Sequence, residues 1–470
     1  MIRLLDISNH VLFWYYVASN FAYLVMLLVA LKTSAAHQRR LESHRLKWIA
    51  DSPLAPPVTV IAPAHNEESS IRVAVRNLLV LDYPELEVIV VNDGSEDRTL
   101  EEMREEFHLR PVRAVYVTEV ESAPVRGLYR SGVDSRLLVV DKEPGGSKAD
   151  AVNAGLNAAT SPYVCVVDAD SVLERDALLR IMLPILADPK RVVAVGGIIR
   201  VLNGSEIANG NLRLVRLPRK SIEVIQVIEY LRAFLIGREA WAQGNMLMII
   251  SGAFGVFRTD LVRVVGGYRP RAIGEDFDLV ARLHRHLREK KADYHIQFVP
   301  DPMCWTEVPS DLKSLGRQRA RWQKGLLDVS LLTRSMLFRP RYGRIGFFAL
   351  PYLWVFEFAA PAIEILGIVT IVLAALLGVL SRGFFLQFLL FGYAFATVIS
   401  IGSVLQEEIT YKRYNDWQDV ARLVSYCFLE HFPYRQMHMF WRLQGIWQYL
   451  RGDTVWAQPK RKGLQSASVP

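Results

Sequence analysis

On a helix, Gln318, Arg321 and Trp322 fall at i, i+3 and i+4, so the run Gln318-Arg319-Ala320-Arg321-Trp322 puts an amide, a guanidinium and an indole on one face. That face suits a sugar held near a phosphate. An aromatic plane packs on a pyranose ring, a guanidinium forks onto phosphate oxygens, and an amide orients hydroxyls. The alternative is an interfacial helix in which Arg319, Arg321 and Lys324 snorkel to headgroups while Trp322 anchors at the boundary. The two uses occupy different faces and are compatible.

Upstream lie stations that complement this face. Asp168 and Asp170 end an apolar run, and their i, i+2 spacing in extended chain points both carboxylates one way. Two hard oxygen ligands of that kind suit a magnesium or manganese ion that bridges a substrate diphosphate; the bland alternative is a helix cap for residues 171–183. Glu275 and Asp276 follow Gly274 at the start of a helix expected over 277–290. Asp276 is the candidate base for an incoming hydroxyl, with Glu275 in support and Asp278 ranked below because it lies deeper in the helix. Acidic residues there also satisfy the helix dipole.

Asp93, in Asn92-Asp93-Gly94-Ser95, ends an apolar run where it can accept hydrogen bonds from a nucleobase or ribose, or else cap the 95–99 segment. His65, Asn66 and Glu67 end the preceding strand and face the same crevice. Gly145-Gly146-Ser147-Lys148 opens a helix, so free amides, a dipole and a point charge make either an anion site or an ordinary helix start. It matches neither a Walker sequence nor a dinucleotide fingerprint, which removes support for kinase and nicotinamide chemistry.

The elements that must carry these residues alternate. Strands are expected over 58–62, 87–91, 137–140 and 163–167, with helices over 69–81 and 148–159, which predicts an α/β fold with a mostly parallel sheet and ligands at the carboxyl ends of its strands. Residues 192–308 read as less regular, with helices over 222–241 and 277–290 and the Gly-rich Ser251-Gly252-Ala253-Phe254-Gly255.

With 51% hydrophobic residues in 470, apolar sequence remains after a full core is built. It concentrates in 11–31, 347–380 and 384–405, each near or beyond the roughly twenty residues that cross a bilayer. Pro351 and Pro361 make the middle stretch a kinked or partly interfacial one. Lys32, Arg39, Arg40, Arg45 and Lys47 follow the first span, and Arg334, Arg339, Arg341 and Arg344 precede the second, which places the intervening part in the cytoplasm of a multi-pass protein of the inner or plasma membrane. Much of the net charge of +8 sits at these flanks, where membrane lipid rather than nucleic acid is the expected partner. The expected organisation is an anchor and interfacial linker over 1–52, with 36–47 lying along the membrane; a catalytic domain over 53–345; two spans within 346–406; and an amphipathic region over 407–470 with a loose tail. Cys165, Cys304 and Cys427 lack metal-ligand or redox spacing and are expected as buried free thiols.

The ordered set His65-Asn66-Glu67, Asn92-Asp93-Gly94-Ser95, Asp168-Ala169-Asp170, Gly274-Glu275-Asp276 and Gln318 to Trp322 resembles the processive family-2 membrane glycosyltransferases: cellulose, chitin, hyaluronan and poly-N-acetylglucosamine synthases. The likeness runs over about residues 57–326. It implies a cytosolic GT-A domain flanked by transmembrane helices, a nucleotide-activated sugar, Mg2+ or Mn2+, and inversion at the anomeric carbon. By resemblance Asp93 contacts uracil, Asp168 the diphosphate and Asp170 the metal; Asp276 is the base, Arg321 and Lys148 contact the diphosphate, and Trp322 stacks on the acceptor. The activity implied is transfer from a UDP-sugar, N-acetylglucosamine before glucose, to a growing β-linked polysaccharide. Single addition to a lipid or short acceptor is the second choice, and a silent sugar-binding subunit the third. Gly274 stands where several relatives have threonine, and the membrane part is small for a secretion channel, which leaves export or regulation to accessory subunits.

Overall fold

The apolar runs that precede the acidic stations form the centre of one sheet in a computed structural model, which describes residues 2–453 apart from 44–51, 53–54, 114–115, 209–210 and 415. The strands are β1 (Val58–Ala64), β2 (Leu86–Asp93), β3 (Arg110–Pro111), β4 (Val125–Arg130), β5 (Leu137–Lys142), β6 (Tyr163–Val167), β7 (Ser171–Leu173), β8 (Val192–Val201), β9 (Glu206–Ala208), β10 (Asn211–Leu214), β11 (Phe254–Arg258) and β12 (His295–Thr306). Ten of them join in the order β3-β4-β5-β2-β1-β6-β11-β8-β12-β7, with β9 and β10 in a separate pair. The run β5-β2-β1-β6 is parallel, as is β8 with β12, while β11 inserts antiparallel between β6 and β8. The sheet is thus α/β and mostly parallel, and the residues after β1, β2, β5 and β6 gather along one edge.

Where sequence and structure part, the causes are local. The 192–308 region is more ordered than its pattern suggests. All ten residues of β8 are buried, so its Val/Ile run shows no alternation, and β12 carries Pro300 and Pro302 with register shifts around Pro302. Residues 171–173 form β7 and pair with β12, so the helix expected from 171 is instead Ala177–Ala187. The helix expected over 222–241 runs as Ser221–Tyr230, widens into a π-helical Leu231–Arg238 and closes as Glu239–Gln243.

Among the described residues two helices are long and apolar enough to cross a membrane, Ile7–Ser34 and Phe385–Thr410; the pair Ile345–Phe358 and Ala360–Leu376, bent by 45°, would make a third. Pro361 sits in the first turn of the second member of that pair, where it cannot donate to the preceding turn. The first span belongs to one helix, Ile2–Ser43, of 42 residues. Residues 36–43 therefore continue that helix rather than starting a separate surface piece; residues 44–47 of the expected interfacial stretch, and the tail past 453, lie outside the described residues. Helices Trp417–Leu429 and Arg435–Leu450 complete the described chain. Cys165, Cys304 and Cys427 are buried and free.

Candidate active site

Asp93 and Asp168 sit where a strand stops, whereas Glu275 and Asp276 begin a helix. Asp93 closes β2, opposite Lys142 at the end of β5. Its Oδ1 accepts from Lys142 Nζ at 2.5 Å and from the Gly145 amide at 3.0 Å. The Lys142 side chain is fully buried and also pairs with Asp150 at 2.6 Å, so one ammonium is shared by two carboxylates. Asp93 therefore does not serve the next helix, whose first amide, that of Thr99, donates to Asp97 Oδ1 at 3.0 Å. The loop after β1 is stitched to the loop after β2. His65 Nδ1 lies 2.7 Å from the Asp93 carbonyl, and Asn66, at φ +56°, bonds Ser95 and accepts the Glu96 amide at 2.9 Å. Glu67 serves the helix start nearby: its amide donates to Thr99 Oγ1 and its carboxylate accepts from Ser70 Oγ at 2.6 Å.

The second half begins at Lys148, the first residue of helix Lys148–Ala158, whose N-cap Ser147 accepts the Asp150 amide at 3.2 Å. Lys148 Nζ pairs with Asp168 and donates to the Gly252 carbonyl at 2.8 Å. Gly252 in turn donates its amide to Asp276 Oδ2 at 3.1 Å, while Asp276 Oδ1 accepts the Phe277 amide at 2.8 Å. A Cβ on Gly252 would lie 2.9 Å from Lys148 Nζ, so a side chain there would displace the ammonium from its present position. Burial opposes the charge on Lys148, but Asp168, Glu275 and Asp276 outweigh it and its pKa is raised. Burial, then Asp276, raises Glu275, with Lys148 and Arg321 pulling the other way. Burial and the same two carboxylates hold the Tyr268 phenol well above its usual range, so it stays a donor.

Asp168 and Asp170 differ from expectation in backbone. Ala169 and Asp170 form a turn in which the Ser171 amide bonds the Asp168 carbonyl at 3.0 Å, so extended-chain spacing does not explain how they are aimed. Both nonetheless stand near the Cys304 thiol, which burial and then these two charges raise. Among the described residues no group of three or more His, Cys, Asp or Glu side chains gathers to hold a metal. Two carboxylates at a turn fit a hard divalent ion whose remaining ligands come from a diphosphate and water.

Gln318 to Trp322 lie in the helix Leu312–Thr333. Trp322 is 41% exposed, with the Arg319 guanidinium 4.2 Å from its ring. Arg319 does not snorkel: it is 2% exposed, held by Glu229 at 2.5 Å and by Gln318 Oε1 at 3.0 Å. Lys324 is likewise buried and donates to the Asp453 carbonyl at 3.2 Å. The Gln318 amide thus steadies the cation under the indole, and Arg321 reaches the field of Glu275. Asp278, fully buried, is engaged by Arg282 at 2.7 Å and Arg269 at 3.3 Å. A cavity of about 380 Å3 opens at Trp322 and Tyr230 and continues among the apolar helices past Tyr15, Tyr23 and Glu357.

Sequence reasoning singled out Gly252 only as part of a Gly-rich run, and missed Lys142, Tyr230, Arg238 and Tyr268. A lysine ending a strand as apolar as Leu137–Lys142 was a usable signal; the others depend on long-range packing.

The chain is 29% identical over 315 residues to a probable glycosyltransferase, YdaM, of Bacillus subtilis, covering 66% of this chain and 65% of that one. It is 30% identical over 276 residues to a poly-beta-1,6-N-acetyl-D-glucosamine synthase of Staphylococcus aureus, covering 58% and 55%. The matches therefore span between about half and two thirds of those relatives' lengths. The GT-A fold is shared with the mannosyltransferase PcManGT of Pyrobaculum calidifontis, solved with GDP-Man and Mn2+, at a TM-score of 0.50 and 22% identity, covering 86% of this chain and 98% of that one. Residues 56–325 match the family described as Glycosyltransferase like family 2, and the chain belongs to that family.

Proposed function

We propose that the protein is an inverting, metal-dependent glycosyltransferase that moves a sugar from a UDP donor to the non-reducing end of a growing β-linked polysaccharide at the cytoplasmic membrane face. The observation that carries this reading is the chain of contacts Asp168–Lys148–Gly252–Asp276, with Arg321 acting on Glu275 beside it. It joins Lys148, a cation suited to a diphosphate, to a carboxylate at a helix start. N-acetylglucosamine is the favoured sugar, a choice supported by the staphylococcal relative's name.

In this reading Asp93 and the His65-Asn66-Glu67 loop receive the uridine, and Lys148, Asp168 and Arg321 the diphosphate. Asp168 and Asp170 would hold Mg2+ or Mn2+, which offsets the charge of the diphosphate. Asp276 takes the proton from the acceptor hydroxyl as that oxygen bonds to the anomeric carbon and the bond to the diphosphate oxygen breaks, inverting the centre. Lys148 and Arg321 stabilise the negative charge left on UDP. Trp322, steadied through Gln318 and Arg319, stacks on the acceptor sugar. Residues 1–52 act as the anchor, 53–345 as the catalytic domain, and 346–406 as the main membrane part, with 407–470 lying against them; basic flanks face the cytoplasm.

The test is product analysis from membranes fed UDP-N-acetylglucosamine and UDP-glucose separately. Long products that depend on added Mg2+ or Mn2+ and disappear on chelation are expected. Asp276→Asn should slow transfer roughly a hundred- to ten-thousandfold without abolishing UDP binding. Near-normal turnover in that variant would remove the mechanism, and discrete single-sugar products would move the reading to a lipid or short acceptor.

A further inference from the structure

Tyr230, Phe234 and Arg238 recur every four residues along one helix, through its π-helical stretch Leu231–Arg238. They make a ladder that starts at the exposed indole. The Tyr230 ring lies 6.4 Å from that of Trp322 and 4.6 Å from that of Phe234, and the Arg238 guanidinium sits 4.0 Å over Phe234. The far end of the ladder reaches the field of Asp276, which acts on Arg238. Widened helical turns of this kind are frequent at functional sites.

Arg238 is left without the partner its burial calls for. It is 7% exposed, yet its Nη1 has no hydrogen-bond partner among the described residues. The acid next to it is engaged elsewhere: Glu239 accepts from Thr33 at 2.5 Å and Ser34 at 2.7 Å on the first helix. A buried guanidinium N–H with no acceptor costs free energy that a bound ligand would recover. Burial lowers the Arg238 pKa to about 10, with Asp276 and Tyr230 opposing, so the group remains a cation at neutral pH. The other cations are placed differently: Lys148 is paired with Asp168 and bonded to the Gly252 carbonyl, and Arg321 acts on Glu275, whereas the charged neighbour of Arg238 is the candidate base.

We propose that Arg238 binds the acceptor: its unmet N–H donates to a hydroxyl of the terminal acceptor sugar, which lies along the Trp322–Tyr230–Phe234 ladder, and holds the attacking oxygen beside Asp276. The ligand class is a neutral pyranose presenting an aliphatic face to the rings and a hydroxyl to the guanidinium. The assignment rests on Asp276 being the base.

The test uses the full chain in detergent or membranes, with UDP-N-acetylglucosamine as donor and a short β-linked N-acetylglucosamine oligosaccharide as acceptor. Arg238→Gln should lower kcat/KM for the oligosaccharide roughly ten- to hundredfold, the loss of one charge-assisted hydrogen bond. It should leave the KM for donor unchanged and slow the acceptor-free release of UDP to water far less than transfer to the oligosaccharide. Arg238→Lys should restore part of the loss, and calorimetric titration of the oligosaccharide should weaken in step. Equal loss of transfer and hydrolysis, with acceptor binding intact, would make Arg238 a structural prop and overturn the proposal; so would a raised donor KM. Should Arg238→Gln fail to fold, Arg238→Lys carries the same comparison. Asp276→Asn run alongside separates the two ideas: full activity there defeats the base assignment, whereas its inactivity together with unaltered acceptor kinetics in Arg238→Gln defeats only the present one.

Discussion

Glu275 and Asp276 are neighbours in sequence with unequal surroundings, and the difference is measurable. Asp276 is tied by two backbone amides, whereas burial first and Asp276 second push the Glu275 carboxyl above its usual value. A carboxyl raised in the fold binds its proton more tightly there than in the unfolded chain. Its stabilising contribution is therefore present in acid and is lost as pH rises from the ordinary value of 4.5 through the raised one. At neutral pH a charged Glu275 weakens the fold, a cost consistent with a site built for catalysis. Glu275→Gln is expected to raise the melting temperature at neutral pH, with the gain shrinking in acid, while transfer slows. Melting curves across pH decide it: a gain independent of pH, or a loss at neutral pH, would contradict the assigned cause. The same substitution should shift the acid limb of the kcat/KM profile to lower pH, because one proton-binding carboxyl has been removed from the pair.

Between elements, the acidic helix Glu275–Glu289 and the helix Leu312–Thr333 meet backbone to backbone at two glycines. A Cβ on Gly274 would lie 3.3 Å from Gly325 Cα, and one on Gly325 would lie 3.1 Å from Gly274 Cα. This contact gives a reason for glycine, rather than a larger residue, before Glu275. Gly274→Ala and Gly325→Ala should each cost about 1–3 kcal/mol through overpacking and lower transfer, and the double variant should depart from additivity because both methyls contest one gap. Unfolding and transfer assays on the three variants test this; additive, silent substitutions would mean that the helices reseat freely. The same contact marks what was legible beforehand. Asp93, Asp168 and Asp276 could be read because each follows an apolar run at a strand end or begins a helix, and those local patterns set their positions. The aim of Asp168 and Asp170 was not legible, since a turn replaces the extended spacing. Nor was the π-helical phase that lines up Tyr230, Phe234 and Arg238, nor the burial of Arg319 against Glu229, because both depend on which helix packs opposite.

Across the whole molecule, the catalytic sheet is joined to the apolar helices by buried polar contacts as well as by apolar packing. Glu239, beside Arg238, accepts from Thr33 and Ser34 of the first helix, and Ser34 accepts from Gln406 at 2.9 Å. Arg232 donates to Glu430 and to Ser400, each at 2.7 Å. The deepest link is Arg200 of β8 with Glu407 of helix Phe395–Thr410, both nearly inaccessible to solvent. Nε and Nη1 of Arg200 have no hydrogen-bond partner among the described residues, so the pair stabilises less than its closeness suggests, while removing one member leaves a charge stranded. Glu407→Ala should therefore destabilise the protein by about 3–5 kcal/mol and loosen the sheet from the apolar helices. Arg200→Met with Glu407→Leu should regain most of that stability, since apolar side chains fill the seam without a desolvation cost. Thermal unfolding and limited proteolysis in lipid discs distinguish the outcomes. If the single variant melts like the parent, the seam carries no strain and the two parts are held by apolar packing alone. If the double variant is stable yet slow in transfer, the charge pair sets the alignment of the catalytic edge with the helices around the cavity at Trp322, a role that apolar replacements cannot fill.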